Sequence, residues 1–168
     1  KEGFIDMKSP KLIGIPSEGG AEAFTIDYFG RPAYLAQSPQ FYKQMAMASG
    51  FEKVFEVAPI FRAEKSLTGR HSTEFTGVDM EVSFVDKIEE LLDLEEEWIV
   101  YWMTGLKGEM GEEIKEMFGK EIVIPQRPFP RITFAQSMEI LKKDYEDIGT
   151  EDEKTLGDYI KEKYNHEF

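Results

Sequence analysis

The residues best suited to chemistry lie in F-R-A-E-K-S-L-T-G-R-H-S-T-E-F, positions 61 to 75, where basic groups, an acid and an aromatic ring crowd two predicted strands and their loop. Period two along the first strand puts Arg62 and Glu64 on one face and turns Phe61 and Ala63 to the other. An arginine so placed can clamp a phosphate in bidentate fashion, and a glutamate two residues on can accept a hydrogen bond from an amine such as adenine N6. The same spacing also suits an ordinary surface ion pair. His71 alone reads as an exposed loop histidine, because the chain has 2 histidines and no metal-ligand spacing. A second group, A-Q-S-P-Q-F-Y-K-Q at 36 to 44, sets Gln40 and Lys43 three apart on a predicted helix, where they share a face. That face is either simply solvated or a polar clamp, and a lysine in it suits a carboxylate on charge grounds. Asp79 and Glu81 share a strand face, from which a carboxylate can hold a lysine in position.

These groups need elements to carry them. Phe4 to Ile15 reads as a strand bent at Pro10, and P-S-E-G-G-A, 16 to 21, as a mobile loop. Short strands are expected around Ala23 to Tyr28 and Ala33 to Gln37, with Gly30 and Pro32 marking their turn. Ser38 suits an N-cap, Pro39 the first helical position and Gly50 the stop, so Pro39 to Ser49 should be a helix. Strands at Lys53 to Glu64 and Glu74 to Phe84 follow, the second with Val78, Met80, Val82 and Phe84 alternating against polar neighbours. After Asp86 the spacing turns helical, and the acid run 89 to 97 reads as a solvated face. Gly105, Gly108 and Gly111 are expected to interrupt that helix before a second stretch near Glu112 to Phe118. P-Q-R-P-F-P at 125 to 130 should be an extended connector. It leads to a strand at Arg131 to Phe134, a helix at Ala135 to Asp144 and a last helix to Tyr164 opened by a Thr150-x-x-Glu153 capping box.

A chain of 168 residues with 41% hydrophobic content suits one globular domain. The absence of cysteine excludes disulfides and thiolate metal sites, and no apolar run is long enough for a signal peptide or membrane span, so the cytoplasm is the expected compartment. A formal net charge of -13 repels polyphosphate in general, so any nucleic-acid contact must rest on local basic groups or a partner domain.

The string from 61 to 75 resembles motif 2 of class II aminoacyl-tRNA synthetases, and F-R-A-E with R-H-x-x-E-F resembles its form in the aspartate, asparagine and lysine subgroup. The resemblance implies an α+β fold, a mixed and mainly antiparallel sheet flanked by helices with motif 2 as a long central hairpin. It implies ATP as substrate, with Arg62 on the α-phosphate as the catalytic charge stabiliser, Glu64 on the adenine amino group and Phe75 stacked on its ring. Arg70, His71 and Ser72 would lie in the loop over the phosphates. The 36 to 44 string is similar to the aspartate-binding segment of the aspartyl branch, which implies that Gln40 meets the amino-acid backbone and Lys43 the side-chain carboxylate of L-aspartate. T-G-V-D-M-E, 76 to 81, carries Asp79 where that branch usually has an aspartate. S-E-G-G-A-E, 17 to 22, resembles its flipping loop, which would close on a Gly19 and Gly20 hinge and bring Glu18 to the substrate ammonium. G-F-I-D-M-K-S-P-K-L, 3 to 12, resembles motif 1, implying a homodimer through the region around Pro10, and Arg131 to Tyr164 resembles the variable region of archaeal-type and eukaryotic-type members.

The implied reaction is ATP-dependent formation of aspartyl-adenylate, then transfer to tRNA. Two departures stand out. Nothing from Val85 to Phe168 resembles motif 3, and the N-terminal anticodon-binding barrel is absent, so residues 1 to 168 are expected to be the front portion of a catalytic domain, inactive alone. The family's Mg²⁺ ligands are expected outside these residues, which leaves no metal ligand assigned within them. Competing expectations are an asparaginyl-tRNA synthetase or an asparagine-forming paralogue, against which Lys43 and Asp79 argue, and a non-catalytic module that kept motifs 1 and 2 for dimerisation or nucleotide binding.

Overall fold

The computed structural model describes residues 2–17, 23–63, 72–144 and 147–166, arranged as two compact units, 1–85 and 86–168. The α+β expectation holds: among the described residues all strands and one helix lie in the first unit, and the second is helical.

Among the described residues the first unit holds two three-stranded sheets. In one, β5 (Lys53–Phe61) lies between β1 (Ile5–Asp6), which runs parallel to it, and β6 (Glu74–Val82), which is antiparallel. In the other, β4 (Arg31–Leu35) lies between β2 (Leu12–Ile13) and β3 (Thr25–Tyr28), both antiparallel. The expected strand from Phe4 to Ile15 is therefore two short strands in different sheets, because the chain leaves the first sheet before Pro10 and joins the second after it. Likewise the β3–β4 turn is Phe29 and Gly30, at φ 52° and 75°, while Pro32 pairs with Asp27 inside β4. Left-handed residues at both central positions suit the twist of a two-residue hairpin. Proline is tolerated in β4 because β2 reaches only Tyr34 and Leu35.

Helix α1 runs from Gln40 to Ala48, one residue shorter at each end than expected. The Ser38 hydroxyl accepts from the Gln40 N–H at 3.3 Å. At the other end Gly50, φ 97°, donates to Met47 O and Phe51 donates to Ala46 O, the paired bonds of a Schellman stop. The helix packs on β5 and β6. Just before it, Ala36 ties the two sheets together, its N–H donating to Lys11 O and its carbonyl accepting from Phe61 N–H. Ala36, Gln37, Ser38 and Pro39 are all buried, so the start of α1 is anchored in the core with Val54 and Ile60.

In the second unit, α2 (Ile88–Phe118) passes without a break through Gly105, Gly108 and Gly111 and stops at left-handed Gly119. The expected interruption fails because each glycine costs only about 1 kcal/mol against alanine, and the strong helix formers Leu106, Lys107, Glu109, Met110 and Glu112 stand among them. The acid run is not wholly solvated either. Glu96 is 4% exposed and pairs with Arg131 at 2.6 Å and Arg127 at 3.4 Å, both from the stretch without regular structure that follows α2. Burial pushes the Glu96 carboxyl up, yet hydrogen bonds from Arg131, the Phe129 N–H and Arg127 hold it below the ordinary glutamate range. Arg131 to Phe134 forms no strand, since Thr133 and Gln136 make a capping box that opens α3 (Phe134–Leu141). The last helix, α4 (Thr150–Tyr164), packs on α3 and is capped one residue earlier than expected. Gly149 donates to Asp152, which also binds Lys143.

Candidate functional site

The alternation along β5 and β6 decides which side chains meet. Arg62 donates its N–H to Thr73 O and Ser83 donates to Glu52 O, so 62/73, 60/75, 58/77, 56/79 and 54/81 are the hydrogen-bonded pairs of the hairpin. Directly opposed residues share a face. Arg62, Phe75, Gly77, Asp79 and Glu81 therefore line one face together with Val54, Glu56, Ala58 and Ile60.

Lys43 reaches this face from α1. It is 4% exposed, and its ammonium contacts the Asp79 carboxylate, Glu81 Oε2 at 3.0 Å and Met80 O at 3.1 Å. Asp79 and Met80 O take hydrogen bonds from the ammonium, and Glu81 adds an ion pair. In this register the peptide groups of Asp79 and Glu81 bond to β5, so the Met80 carbonyl turns to the opposite edge of β6, where Lys43 caps it. The structure thus brings Lys43 and Asp79 together and adds Glu81 to them. Gln40 lies one turn earlier on the same helix, half-buried.

Arg62 follows the last residue of β5 and is half-buried, and Phe75 lies exposed beside Ile60. Gly77 leaves room for Ile60, whose Cδ1 lies 2.2 Å from where a Cβ at residue 77 would stand. Ser72 is exposed, two residues before β6. Glu18, Glu64, Arg70 and His71 lie outside the described residues, as do Gly19 and Gly20.

One group went unread in the sequence. Glu56, 1% exposed, takes hydrogen bonds from the Ser9 N–H and Ser9 Oγ, both at 2.6 Å, and from Lys11 at 3.0 Å. Burial drives its carboxyl up, but those donors outweigh burial and keep it below the ordinary glutamate range. Glu56 thereby fixes the residues on either side of the exposed Pro10 to the middle strand, directly opposite Asp79. The signal was available: in K-V-F-E-V, period two puts Glu56 on the same face as buried Val54, and an acid on a core face requires a partner.

A family model described as tRNA synthetases class II (D, K and N) matches residues 1–168. An aspartate–tRNA(Asp) ligase of Pyrococcus horikoshii is 47% identical over 167 residues, 96% of this chain and 38% of that protein. The cytoplasmic aspartate–tRNA ligase of Homo sapiens is 40% identical over 176 residues, 99% of this chain and 35% of that protein. Among solved structures, asparaginyl-tRNA synthetase from Pyrococcus horikoshii complexed with asparaginyl-adenylate superposes with a TM-score of 0.84 at 34% identity, covering 94% of this chain and 38% of that one. An aspartyl-tRNA synthetase from Entamoeba histolytica gives 0.78 at 36% identity, covering 98% and 32%. The chain therefore spans well under half the length of the relatives it matches.

Proposed function

The chain belongs to the class II tRNA synthetases of the D, K and N group, and on that premise we propose that it carries the aspartate site and part of the ATP site of an aspartate–tRNA ligase. The observation behind this reading is the shared hairpin face: Arg62 and Phe75 stand on it toward the loop end, and Lys43, Asp79 and Glu81 are assembled on it further along. A phosphate-binding arginine, a ring for a base and a buried cation suited to a carboxylate are the groups needed to join ATP to an acidic amino acid.

In the proposed reaction an oxygen of the aspartate α-carboxylate attacks the α-phosphorus of ATP. The bond to the β-phosphate breaks, and pyrophosphate leaves with the electron pair. A ribose hydroxyl of tRNA then attacks the acyl carbon and releases AMP. The carboxylate is already a nucleophile, so no base is required, and the chain's part is positioning and charge neutralisation. Arg62 meets the α-phosphate, Phe75 stacks on adenine, Gln40 holds the amino-acid backbone and Lys43, backed by Asp79, faces the side-chain carboxylate. Glu18 is assigned to the substrate ammonium, Glu64 to the adenine amino group, and Arg70, His71 and Ser72 to the phosphates.

Class II synthetases use ATP with Mg²⁺. Among the described residues no group of three or more His, Cys, Asp or Glu side chains is arranged to hold a metal ion. No glycine-rich string ending in arginine occurs among the 168 residues. We assign that part of the ATP grip to residues beyond them, in a catalytic domain of which this chain carries motifs 1 and 2. A homodimer is proposed through the Pro10 region, where Pro10, Leu12 and Ile15 are exposed. No helix among the described residues is long and apolar enough to cross a membrane, and the relative from Homo sapiens is named cytoplasmic. The cytoplasm is the proposed compartment.

Aspartate-dependent exchange of pyrophosphate into ATP by the full-length protein tests the assignment. Arg62→Ala should slow it by roughly two to three orders of magnitude, as for loss of one main charge-stabilising donor. A loss below about threefold would place the α-phosphate elsewhere, since a donor in a preorganised site is worth far more.

A further inference from the structure

The ammonium of Lys43 is already enclosed by three oxygen partners, with hydrogen bonds to Asp79 and Met80 O and an ion pair to Glu81 at 3.0 Å, which bears on how a carboxylate can be recognised there. One cation between two carboxylates leaves the anions in excess. The ammonium itself is hidden, at 5% side-chain exposure, while each carboxylate is 27% exposed. An incoming carboxylate therefore meets negative groups first and finds the ammonium already enclosed. If Lys43 is the group that receives the aspartate side chain, one of its three partners must move aside.

The geometry identifies which. Met80 O belongs to the backbone of a paired strand and cannot swing. Asp79 is the closest partner of Lys43, on a short side chain, and stands directly opposite Glu56, whose carboxylate is buried and pinned by Ser9 and Lys11. Turning Asp79 away from Lys43 would bring two carboxylates together on neighbouring strands. Glu81 has one more methylene and stands opposite Val54, an apolar residue with 1% exposure. It has a route to solvent that passes no like charge across the pair.

We propose that Glu81 is a specificity-determining residue of the aspartate site: it holds Lys43 while the site is empty, and the side-chain carboxylate of the substrate displaces it. This rests on the reading that Lys43 meets that carboxylate. Until displaced, Glu81 competes with the substrate for the ammonium, and after displacement its charge stays close by. It weakens aspartate binding in exchange for keeping a buried lysine paired in the empty enzyme, where an unpaired buried charge is costly. Asparagine, neutral in its side chain, feels the second effect far less.

The test is steady-state pyrophosphate exchange by the full-length protein with L-aspartate and L-asparagine. Glu81→Gln keeps length and an acceptor for Lys43 while deleting the competing charge. The expected result is a KM for aspartate lowered by about threefold or more, the scale of a charge effect at a partly exposed site, with KM for ATP unchanged and the asparagine KM moved less. An aspartate KM that is unchanged or raised overturns the exchange, and a parallel rise in the ATP KM marks Glu81 as structural and overturns it as well. Lys43→Met, run alongside, separates the two layers. If it leaves the aspartate KM unaltered, Lys43 does not meet the substrate and the exchange falls with that reading. If it raises the aspartate KM while Glu81→Gln fails to lower it, the exchange alone is wrong.

Discussion

Replacing Lys43 with methionine removes a charge while keeping most of the buried stem, and its effects on stability and on specificity can be worked out separately. The residue is 4% exposed, and its ammonium joins Asp79, Glu81 and Met80 O. Deleting it leaves two carboxylates two residues apart on one strand face with no cation between them. Removing one partner of a fully buried pair costs about 3–5 kcal/mol. Because Asp79 and Glu81 are each 27% exposed and can turn partly to water, a figure below that range, about 2–3 kcal/mol, is the reasoned one. Urea denaturation of parent and variant at neutral pH measures it. The specificity effect runs further, since aspartate would then bring a carboxylate to a site holding two others. Loss of a hydrogen-bonded charge partner costs on the order of 2–5 kcal/mol, which asparagine escapes in large part. The ratio of aspartate to asparagine activation in exchange assays should therefore fall by at least about tenfold, the equivalent of 1.4 kcal/mol. Equal losses for both substrates would make Lys43 a structural residue and remove the main support for aspartate as substrate.

Two further predictions concern stability. Gly77→Ala puts a Cβ 2.2 Å from Ile60 Cδ1, so overpacking should cost about 1–3 kcal/mol in urea melts; adding Ile60→Val, which deletes that methyl, should recover much of it, and a neutral single variant would refute the close approach. For Glu56 the folded carboxyl titrates below its unfolded value, so its contribution is complete above about pH 4.3 and fades as pH falls through the folded pKa. Glu56→Gln should accordingly be less stable than the parent at pH 7 by a margin that shrinks on acidification, and a margin constant down to acid pH would show that the carboxylate charge is not what binds Ser9 and Lys11.

What could be read from the sequence was whatever is encoded within a few residues. Helix α1 was legible because Ser38, Pro39 and Gly50 punctuate it locally, and the β5–β6 hairpin because alternation persists along Glu74 to Val82. Lys43 and Asp79 could be singled out one at a time, though what they do together depends on a helix packing on a strand 36 residues away. The same distance hid Glu96: nothing near it distinguishes it from Glu95 or Glu97, and its partners Arg127 and Arg131 arrive more than 30 residues later. The break expected at Gly105 failed for the opposite reason, a local signal too weak against its neighbours. Thr133 was misread because β-branched Ile132 and Thr133 favour a strand, whereas a capping hydroxyl followed three residues later by Gln136 decides for a helix start.

Glu56 and Asp79, the two acids opposite each other on the site face, explain why the segment around Pro10 and the Lys43 site belong to one structure. Like charges directly opposed across a hairpin destabilise it unless each has its own counterion. Here Lys11 serves Glu56 and Lys43 serves Asp79, each from its own segment: one from the residues leading into β2, the other from α1. Withdrawing Lys11 and Ser9 would free Glu56 to compete with Asp79 for Lys43, so the placement of the Pro10 segment bears on the charge balance at the site without touching it. In a chain of net charge -13 an anionic substrate is repelled at long range, and it binds only where cations have been set aside for it. Keeping Glu56 occupied with Ser9 and Lys11 leaves Lys43 to Asp79 and Glu81, the pairing on which the proposed aspartate site depends.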